Sequence, residues 1–279
     1  MGKFLVRLMI GLLFVGFGLL NYFGNVSENP VTGEQQRVAL TPQQEIQLGQ
    51  QGRGEVLQQF GGLHPNQNLQ AYIDQVGERV VQNSAASTLP YPYEFHVVDD
   101  PRTINAFALP GGQIFITTAM LNQLDSEAQL AGILAHEVAH VVARHGAEQL
   151  ARQQLGLALV NAIAITASGE DPGNARQAAL VAQAVNQLIS LQYSRQDELE
   201  SDRLGFEFMT AANYNPEGLV ELMEILAQTS NGQPPEFLST HPYPENRIEQ
   251  LQDLIQSTYP EGIPPALEEG DSFAPSSAS

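Results

Sequence analysis

The chain has 279 residues, of which 43% are hydrophobic and 15% charged, a composition typical of a globular protein and not of a disordered one. Its formal net charge of −19 argues against nucleic acid and anionic membrane surfaces as partners, because both repel an acidic surface. The absence of cysteine excludes disulfides, thiolate metal ligands and thiol nucleophiles, and it leaves the redox compartment open.

The first 24 residues have the layout of an export signal. Lys3 and Arg7 precede an uncharged, apolar run from Leu8 to Phe23. A basic start before an apolar stretch is typical of a signal peptide or a signal anchor. The segment has about 20 apolar residues, enough to span a bilayer, and no clear small-residue cleavage site follows it. We therefore expect a signal anchor or signal peptide over residues 1–24, membrane contact through this segment, and a periplasmic or otherwise extracytoplasmic catalytic domain. A buried helix is the alternative.

The remaining chain divides into a linker, one domain and a tail. Residues 25–42 are polar and contain proline and glycine, which predicts a linker. Residues 43–260 form the predicted domain. Residues 261–279 are rich in acidic residues, serine and alanine, which predicts a disordered acidic tail.

Hydrophobic periodicity within the domain predicts the α+β class, mostly helical with one small β-sheet or hairpin. A Pro-Gly-Gly turn favours a hairpin between the last two strands, and a capping box opens the long helix that follows. In chain order the expected elements are a helix from about Thr41, a helix over Asn68–Asn83, strands over Tyr93–Val98, Ile104–Leu109 and Gln113–Thr117, a long helix from Ser126 to about Gln149, and helices over about Arg195–Ala212 and Asn215–Gln228.

The sequence His136-Glu137-Val138-Ala139-His140 lies in the middle of the long predicted helix. Four residues make about one helical turn, so both imidazoles project from one face, about 6 Å apart, and can bind one ion. Imidazole and carboxylate ligands suit zinc. We therefore predict one Zn²⁺ per chain, bound by His136 and His140, with Glu137 as the catalytic base. Two structural histidines are the alternative, but this apolar helix would then bury two unpaired imidazoles at a cost in free energy.

Two histidines leave a catalytic zinc one protein ligand short. The chain has no cysteine, so a carboxylate is the natural candidate, and Glu198 and Asp202 lie one turn apart on a later predicted helix. Either carboxylate could bind zinc while the other hydrogen-bonds a ligand imidazole. A solvated acidic face is the alternative. Arg195 and Arg247 could neutralise these carboxylates or could form ordinary exposed ion pairs.

Taken together, these residues resemble the HtpX-like, CAAX-prenyl-protease-related family of membrane-associated zinc metallopeptidases. The similarity runs from about Thr41 to Leu254 and departs from the family at Ser201, where alanine is usual. The chain stops where the most similar type, a periplasmic one, carries tetratricopeptide repeats. The resemblance is carried by His136-Glu137-x-x-His140, Glu198-x-x-x-Asp202, Asn105–Gly112, Tyr193-Ser194-Arg195 and Thr240-His241-Pro242.

The resemblance implies a zincin-like metallopeptidase domain in which Glu198 is the third zinc ligand and Asp202 supports a ligand imidazole. It also favours a substrate-binding role for the strand that contains Asn105, Ala106 and Phe107, because a peptide can add to an exposed strand edge by main-chain hydrogen bonds. An ordinary hairpin with Phe107 in the core is the alternative.

The resemblance further places the loop that contains His241 at the active site, where two catalytic roles are possible. Its imidazole could occupy the fourth position of the zinc and act as a gate, or it could donate a hydrogen bond to the oxyanion. A loop histidine without a role is the third possibility, and we favour the gate for the resting enzyme. Glu200 is expected to be a surface residue, and His145 a structural one that points away from the metal.

The sequence therefore predicts a zinc-dependent endopeptidase. By resemblance, its substrates are unfolded or misassembled polypeptides at or outside the membrane, in protein quality control. A zinc-containing holdase that grips unfolded chains without cleavage is one alternative, against which Glu137 argues. A zinc hydrolase with a non-peptide substrate is another. The sequence does not indicate an oligomeric state.

Overall fold

The computed structural model describes residues 16, 26–38, 40–153, 183–184, 186–229, 235–242 and 247–272. Apart from Gly16, the predicted signal segment at residues 1–24 lies outside the described residues, and so do residues 273–279 of the predicted tail. No helix in the described part of the chain is both long enough and apolar enough to cross a membrane.

The described residues confirm the mostly helical α+β class. They contain eight α-helices, a 3₁₀-helix at Ala85–Thr88, a three-stranded mixed sheet and a two-stranded antiparallel sheet, with further helical residues at 145–153, 183–184 and 186–189. In chain order the named elements are β1 (Val26–Glu28), β2 (Gln35–Arg37), α1 (Pro42–Gln59), α2 (Gln67–Gln82), β3 (Glu94–Val98), β4 (Ala106–Leu109), β5 (Gln113–Thr117), α3 (Thr118–Leu121), α4 (Glu127–Val142), α5 (Arg195–Ala211), α6 (Glu217–Gln228), α7 (Glu236–Thr240) and α8 (Arg247–Thr258).

The three-stranded sheet has the order β3-β5-β4, with β3 parallel and β4 antiparallel to β5. The predicted hairpin is therefore confirmed. Gly111 and Gly112 occupy its turn at φ angles of 86° and 98°, a region that favours glycine because it has no Cβ. The order places β4 at one edge of the sheet, beside α4.

Helix α4 is the centre of the core. Every residue from Ala128 to Val142 is buried, and α2, β4, α5 and α6 pack around the helix. At its start the Ser126 hydroxyl accepts a hydrogen bond from the backbone N–H of Gln129, which is one half of the predicted capping box, while the Gln129 side chain accepts from the N–H of Asp125 and not from that of Ser126. The buried surroundings hold the His-Glu-x-x-His sequence of α4 in a fixed position inside the protein.

The predicted end of this helix, near Gln149, is wrong. Helix α4 ends at Val142, and Arg144 adopts a left-handed conformation with φ of 56° before the chain becomes helical again at residue 145. Such a conformation costs a non-glycine residue about 1 kcal/mol. Contacts made by the side chain hold it there, because Arg144 donates to the Leu40 carbonyl at 2.7 Å and pairs with the buried Glu45.

Residues 26–38 differ from the linker that the sequence predicted. Strands β1 and β2 form an antiparallel hairpin that packs against the end of α4. The Asn29 side chain donates to the Val142 carbonyl at 2.8 Å, and the Gln36 side chain donates to the Ala143 carbonyl. Both amides are buried because they satisfy carbonyls that the helix leaves without partners at its C-terminus.

Residues up to 272 likewise differ from the disordered tail that the sequence predicted. The Glu269 carbonyl accepts a hydrogen bond from the N–H of Ala128, and the Asp271 carbonyl accepts one from the N–H of Glu127, both at 3.0 Å. These N–H groups belong to the first turn of α4, which has no internal acceptors for them. Composition shows how polar the tail is but does not reveal the helix terminus that binds it.

We expect the docked hairpin to stabilise the domain through its two buried amides. Gln36→Ala leaves the Ala143 carbonyl buried without its partner and should lower the free energy of unfolding by about 1–2 kcal/mol. Urea unfolding followed by circular dichroism measures the change. Gln35→Ala is the matched control, since Gln35 is exposed on the same strand and its loss should change stability by less than about 0.5 kcal/mol. Equal effects of the two variants would contradict the capping role.

Candidate metal centre

Four buried side chains from three parts of the chain converge beside α4. They are His136 and His140 of α4, Glu198 of α5 and His241, which directly follows α7, and none is more than 2% exposed. Helix α5 packs against α4 at Gly205. A Cβ at Gly205 would lie 3.4 Å from the backbone nitrogen of His136.

The donor atoms of these side chains are spaced as the ligands of a single ion. Nε2 of His136 lies 3.1 Å from Nε2 of His140 and 3.4 Å from Nδ1 of His241. Glu198 lies 3.5 Å from Nε2 of each α4 histidine and 3.1 Å from Nδ1 of His241. Four ligands at zinc bond lengths around a tetrahedral ion stand about 3.3 Å apart. The donor set of three imidazoles and one carboxylate therefore fits one metal ion.

Neighbouring side chains orient the α4 histidines. Nδ1 of His136 lies 3.1 Å from Oδ1 of Asp202, at an angle outside the usual hydrogen-bond range but close enough for an electrostatic contact with the ring N–H. This contact turns Nε2 of His136 toward the other donors. The ring of Tyr193 stacks on His140, with 4.0 Å between the ring centroids.

Arg247 is buried and joins the two carboxylates of α5. It is 1% exposed, donates to Asp202 from Nε at 2.6 Å and from Nη2 at 2.5 Å, and lies 2.8 Å from Glu198 through Nη1. The sequence left open whether Arg247 forms an exposed ion pair, and the structure excludes this. Two carboxylates against one guanidinium leave an excess negative charge that suits a divalent cation.

The buried charges shift the pKa values of the centre in opposite directions. Burial disfavours charge on His136, but the adjacent Asp202 and Glu198 outweigh it and raise the pKa of His136 to about 9. Burial lowers the pKa of His140 well below its ordinary value. Burial would raise the pKa of Glu198, but His241 and Arg247 outweigh it and hold that pKa well below its usual range. The α5 carboxylate is therefore kept ionised and able to bind a cation.

Glu137 faces the same space without a hydrogen-bond partner. Its side chain is fully buried, neither oxygen accepts a hydrogen bond from a described residue, and Oε1 lies 3.5 Å from Nε2 of His241. Burial raises the pKa of Glu137, although the nearby imidazoles oppose the shift. Its carboxyl group is therefore available for proton transfer.

The predicted substrate strand lies at the edge of the sheet, but its side chains are buried. Asn105 is fully buried, and neither atom of its amide has a partner among the described residues. Ala106 and Phe107 begin β4, and Phe107 stacks on Phe115 with 5.3 Å between the ring centroids. The edge position and the core position of Phe107, which the sequence analysis treated as alternatives, therefore occur together.

Two residues that the sequence analysis placed outside the centre contact it. Nδ1 of His145 lies 3.0 Å from Nδ1 of His140, and Nε2 of His145 lies 3.0 Å from Oε2 of Glu200. The prediction of Glu200 as a surface residue is wrong, because its side chain is only 13% exposed. The sequence signal for this contact was a histidine five residues after the predicted ligand His140. It was missed because the helix was expected to continue to about Gln149.

The fold and the centre define a class of protein. A buried helix with His-Glu-x-x-His, a carboxylate from a second helix and a strand edge beside them are the arrangement of a metallopeptidase. The profile of peptidase family M48 matches residues 67–255. The chain therefore belongs to peptidase family M48, which confirms the family that its motifs predicted.

Relatives in bacteria and eukaryotes agree with this assignment. The chain is 28% identical over 268 residues to the β-barrel assembly-enhancing protease of Escherichia coli. The matched region covers 92% of this chain and 53% of that protein. It is 31% identical over 199 residues to the Yersinia pestis protein of the same name, covering 69% of this chain and 40% of that protein. It is 31% identical over 256 residues to the mitochondrial metalloendopeptidase OMA1 of Schizosaccharomyces pombe, covering 88% of this chain and 71% of that protein. The chain thus spans about half the length of the bacterial relatives.

We expect Arg247 to be essential for the stability of the metal-free domain. Arg247→Met leaves two buried carboxylates without their cation and should lower the free energy of unfolding by about 3–5 kcal/mol. Urea unfolding in the presence of a chelator measures this loss. Arg203→Met is the control, because Arg203 and Glu207 form an exposed pair on α5, and its effect should stay below about 1 kcal/mol. Similar losses in both variants would contradict the buried bridge.

Proposed function

We propose that this chain is a zinc-dependent endopeptidase that hydrolyses peptide bonds of unfolded or misassembled proteins. The proposal is based on the geometry of the centre. The donor atoms of His136, His140 and Glu198 converge at the spacing of zinc ligands, and beside them lies the carboxyl group of Glu137, which accepts no hydrogen bond from a described residue. A binding module would need the ligands but not a buried carboxyl group that is free of hydrogen bonds from the described residues.

The residues of the centre divide the chemistry between them. When bound by His136, His140 and Glu198, zinc supplies a Lewis acid that polarises the scissile carbonyl and makes water a nucleophile at neutral pH. Glu137 takes the proton from the attacking water and returns it to the leaving amine. Asp202 orients the imidazole of His136 through Nδ1. Asn105 offers its unpaired amide to a peptide group of the substrate.

The edge of β4 would hold the substrate chain. The Asn105 carbonyl accepts a hydrogen bond from the N–H of Thr117 in β5. Because successive residues of a strand face opposite sides, the backbone groups of Ile104 and Ala106 point to the free edge. A polypeptide can add there by main-chain hydrogen bonds with little regard to its sequence, which suits a protease for unfolded chains.

His241 would keep the enzyme latent. Its Nδ1 stands with the three other donors, at the position where a catalytic zinc needs an open site. The same segment also occupies the substrate edge, since the N–H of Phe237 donates to the Ile104 carbonyl at 3.1 Å. One movement of residues 235–242 would therefore free the metal position and the strand edge together. This arrangement favours the gate over the oxyanion donor.

We further propose that the chain works outside the cytoplasm and attached to the membrane. The basic and apolar pattern of residues 1–24 supports export or anchoring. The names of the bacterial relatives, β-barrel assembly-enhancing protease, support a role in the quality control of envelope proteins.

Digestion of an unfolded protein tests the proposed activity. The full-length chain should cleave casein, lose this activity with a chelator and regain it with zinc. Glu137→Gln should keep the zinc but lose at least about 100-fold in kcat, because an amide cannot accept the proton. Glu224→Gln, an exposed change on α6, is the matched control and should cleave at the normal rate. Binding of casein without cleavage by the unmodified chain would instead identify a holdase.

The His241 side chain gives opposite outcomes for its two possible roles. If it is a gate whose open state is populated to 10% or less, His241→Ala should raise the rate of casein cleavage about tenfold or more at equal zinc content. If it is an oxyanion donor, the same change should lower kcat about 100-fold. His64→Ala is the control. A rate within a factor of two of the unmodified enzyme would reject both roles.

A further inference from the structure

A chain of hydrogen bonds leads from the metal centre to Glu200. Nδ1 of His140 lies 3.0 Å from Nδ1 of His145. On the far side of that ring, Nε2 of His145 lies 3.0 Å from Oε2 of Glu200. His145 is 3% exposed, so its nitrogens are largely shielded from water.

Metal binding by His140 would assign the protons along this chain of contacts. Nε2 of His140 faces the other metal donors and must carry a lone pair to bind an ion. Its proton is then on Nδ1, which donates to Nδ1 of His145. His145 accepts there and carries its own proton on Nε2, which donates to Glu200. In this assignment the two rings form a continuous chain of hydrogen bonds from the metal position to Glu200.

The break in the helix makes this contact possible. In an uninterrupted helix, residues five apart project about 140° from one another and do not meet. The left-handed Arg144 turns the chain between His140 and His145 and brings the two rings within 5.0 Å of each other, measured between centroids. The strained conformation is held by the buried pair with Glu45, so the structure maintains the turn against its intrinsic cost.

The two α4 histidines are thus supported in different ways. His136 meets a carboxylate directly, since its Nδ1 lies 3.1 Å from Asp202. Nδ1 of His140, by contrast, reaches a carboxylate through a second imidazole. The Ser201 hydroxyl adds a further contact to this imidazole, 3.3 Å from Nδ1 of His145. The Nδ1 side of each ligand histidine thus leads to a carboxylate of α5, which is Asp202 for His136 and Glu200 for His140. Both carboxylates lie within about one helical turn of Glu198.

We propose that His145 and Glu200 are positioning residues that hold His140 in the tautomer and orientation needed to bind the metal. The proposal rests on the proposed role of His140 as a zinc ligand. Partners of this kind make a ligand imidazole more basic and fix its ring, and their loss typically weakens metal binding 10- to 100-fold. Neither residue touches the substrate or the reacting atoms.

Zinc affinity tests the proposal without any need for proteolysis. The zinc dissociation constant of the full-length chain is measured by competition with a chromophoric chelator. Glu200→Leu and His145→Leu should each raise it about 10- to 100-fold. Glu200→Gln keeps an oxygen acceptor and should recover most of the affinity. Glu207→Leu is the matched control on the exposed face of α5 and should change the constant by less than twofold.

The double variant, which combines His145→Leu with Glu200→Leu, distinguishes a relay, in which Glu200 acts on His140 through His145, from two independent structural effects. If Glu200 acts through His145, adding Glu200→Leu to His145→Leu should change the dissociation constant by less than twofold. Additive losses, or an unchanged constant in Glu200→Leu, would overturn the proposal. Circular dichroism of the metal-free variants checks the fold, and if His145→Leu does not fold, Glu200→Leu and Glu200→Gln decide the question. Failure to cleave casein would count against the proposed protease but not against this inference.

Discussion

The complete burial of helix α4 is the constraint on which the rest of the structure depends. A helix with no solvent face leaves each of its polar groups in need of a partner inside the protein. The N–H groups at its start therefore donate hydrogen bonds to residues 269–271, and the carbonyl at its end accepts one from the β1–β2 hairpin. Its imidazoles require partners from α5 and from the segment after α7. The same burial that raises the cost of these groups also removes their freedom to move, and a rigid arrangement is what a metal site needs.

Charge around the centre is balanced by few groups. Arg247 serves Glu198 and Asp202 together, so the metal ligand and the residue that orients His136 share one cation. At low effective dielectric such pairs interact strongly, and removal of one member leaves a costly unpaired charge. A divalent ion at the four donors would offset the negative charge that Arg247 leaves uncompensated. Stability and metal binding are therefore linked through one guanidinium group.

The sequence itself determined the His-Glu-x-x-His motif and the hairpin of the sheet. His136, Glu137 and His140 were recognisable because helical periodicity is local and places residues four apart on one face. The sheet hairpin was recognisable for the same reason, since Pro110-Gly111-Gly112 marks its turn. The choice of Glu198 over Asp202 as the ligand came from resemblance to a family and not from spacing.

Only the tertiary structure decided the parts that depend on distant segments. The end of α4 at Val142 follows from the pair of Arg144 with Glu45, about one hundred positions earlier in the chain. The relay from His140 through His145 to Glu200 exists because that turn changes the direction of the chain. The docked hairpin and tail bind helix ends whose free groups do not show in their own composition. Local patterns specify which face of an element is apolar, but the partner of a buried polar group is set by packing between elements, and that information is not local.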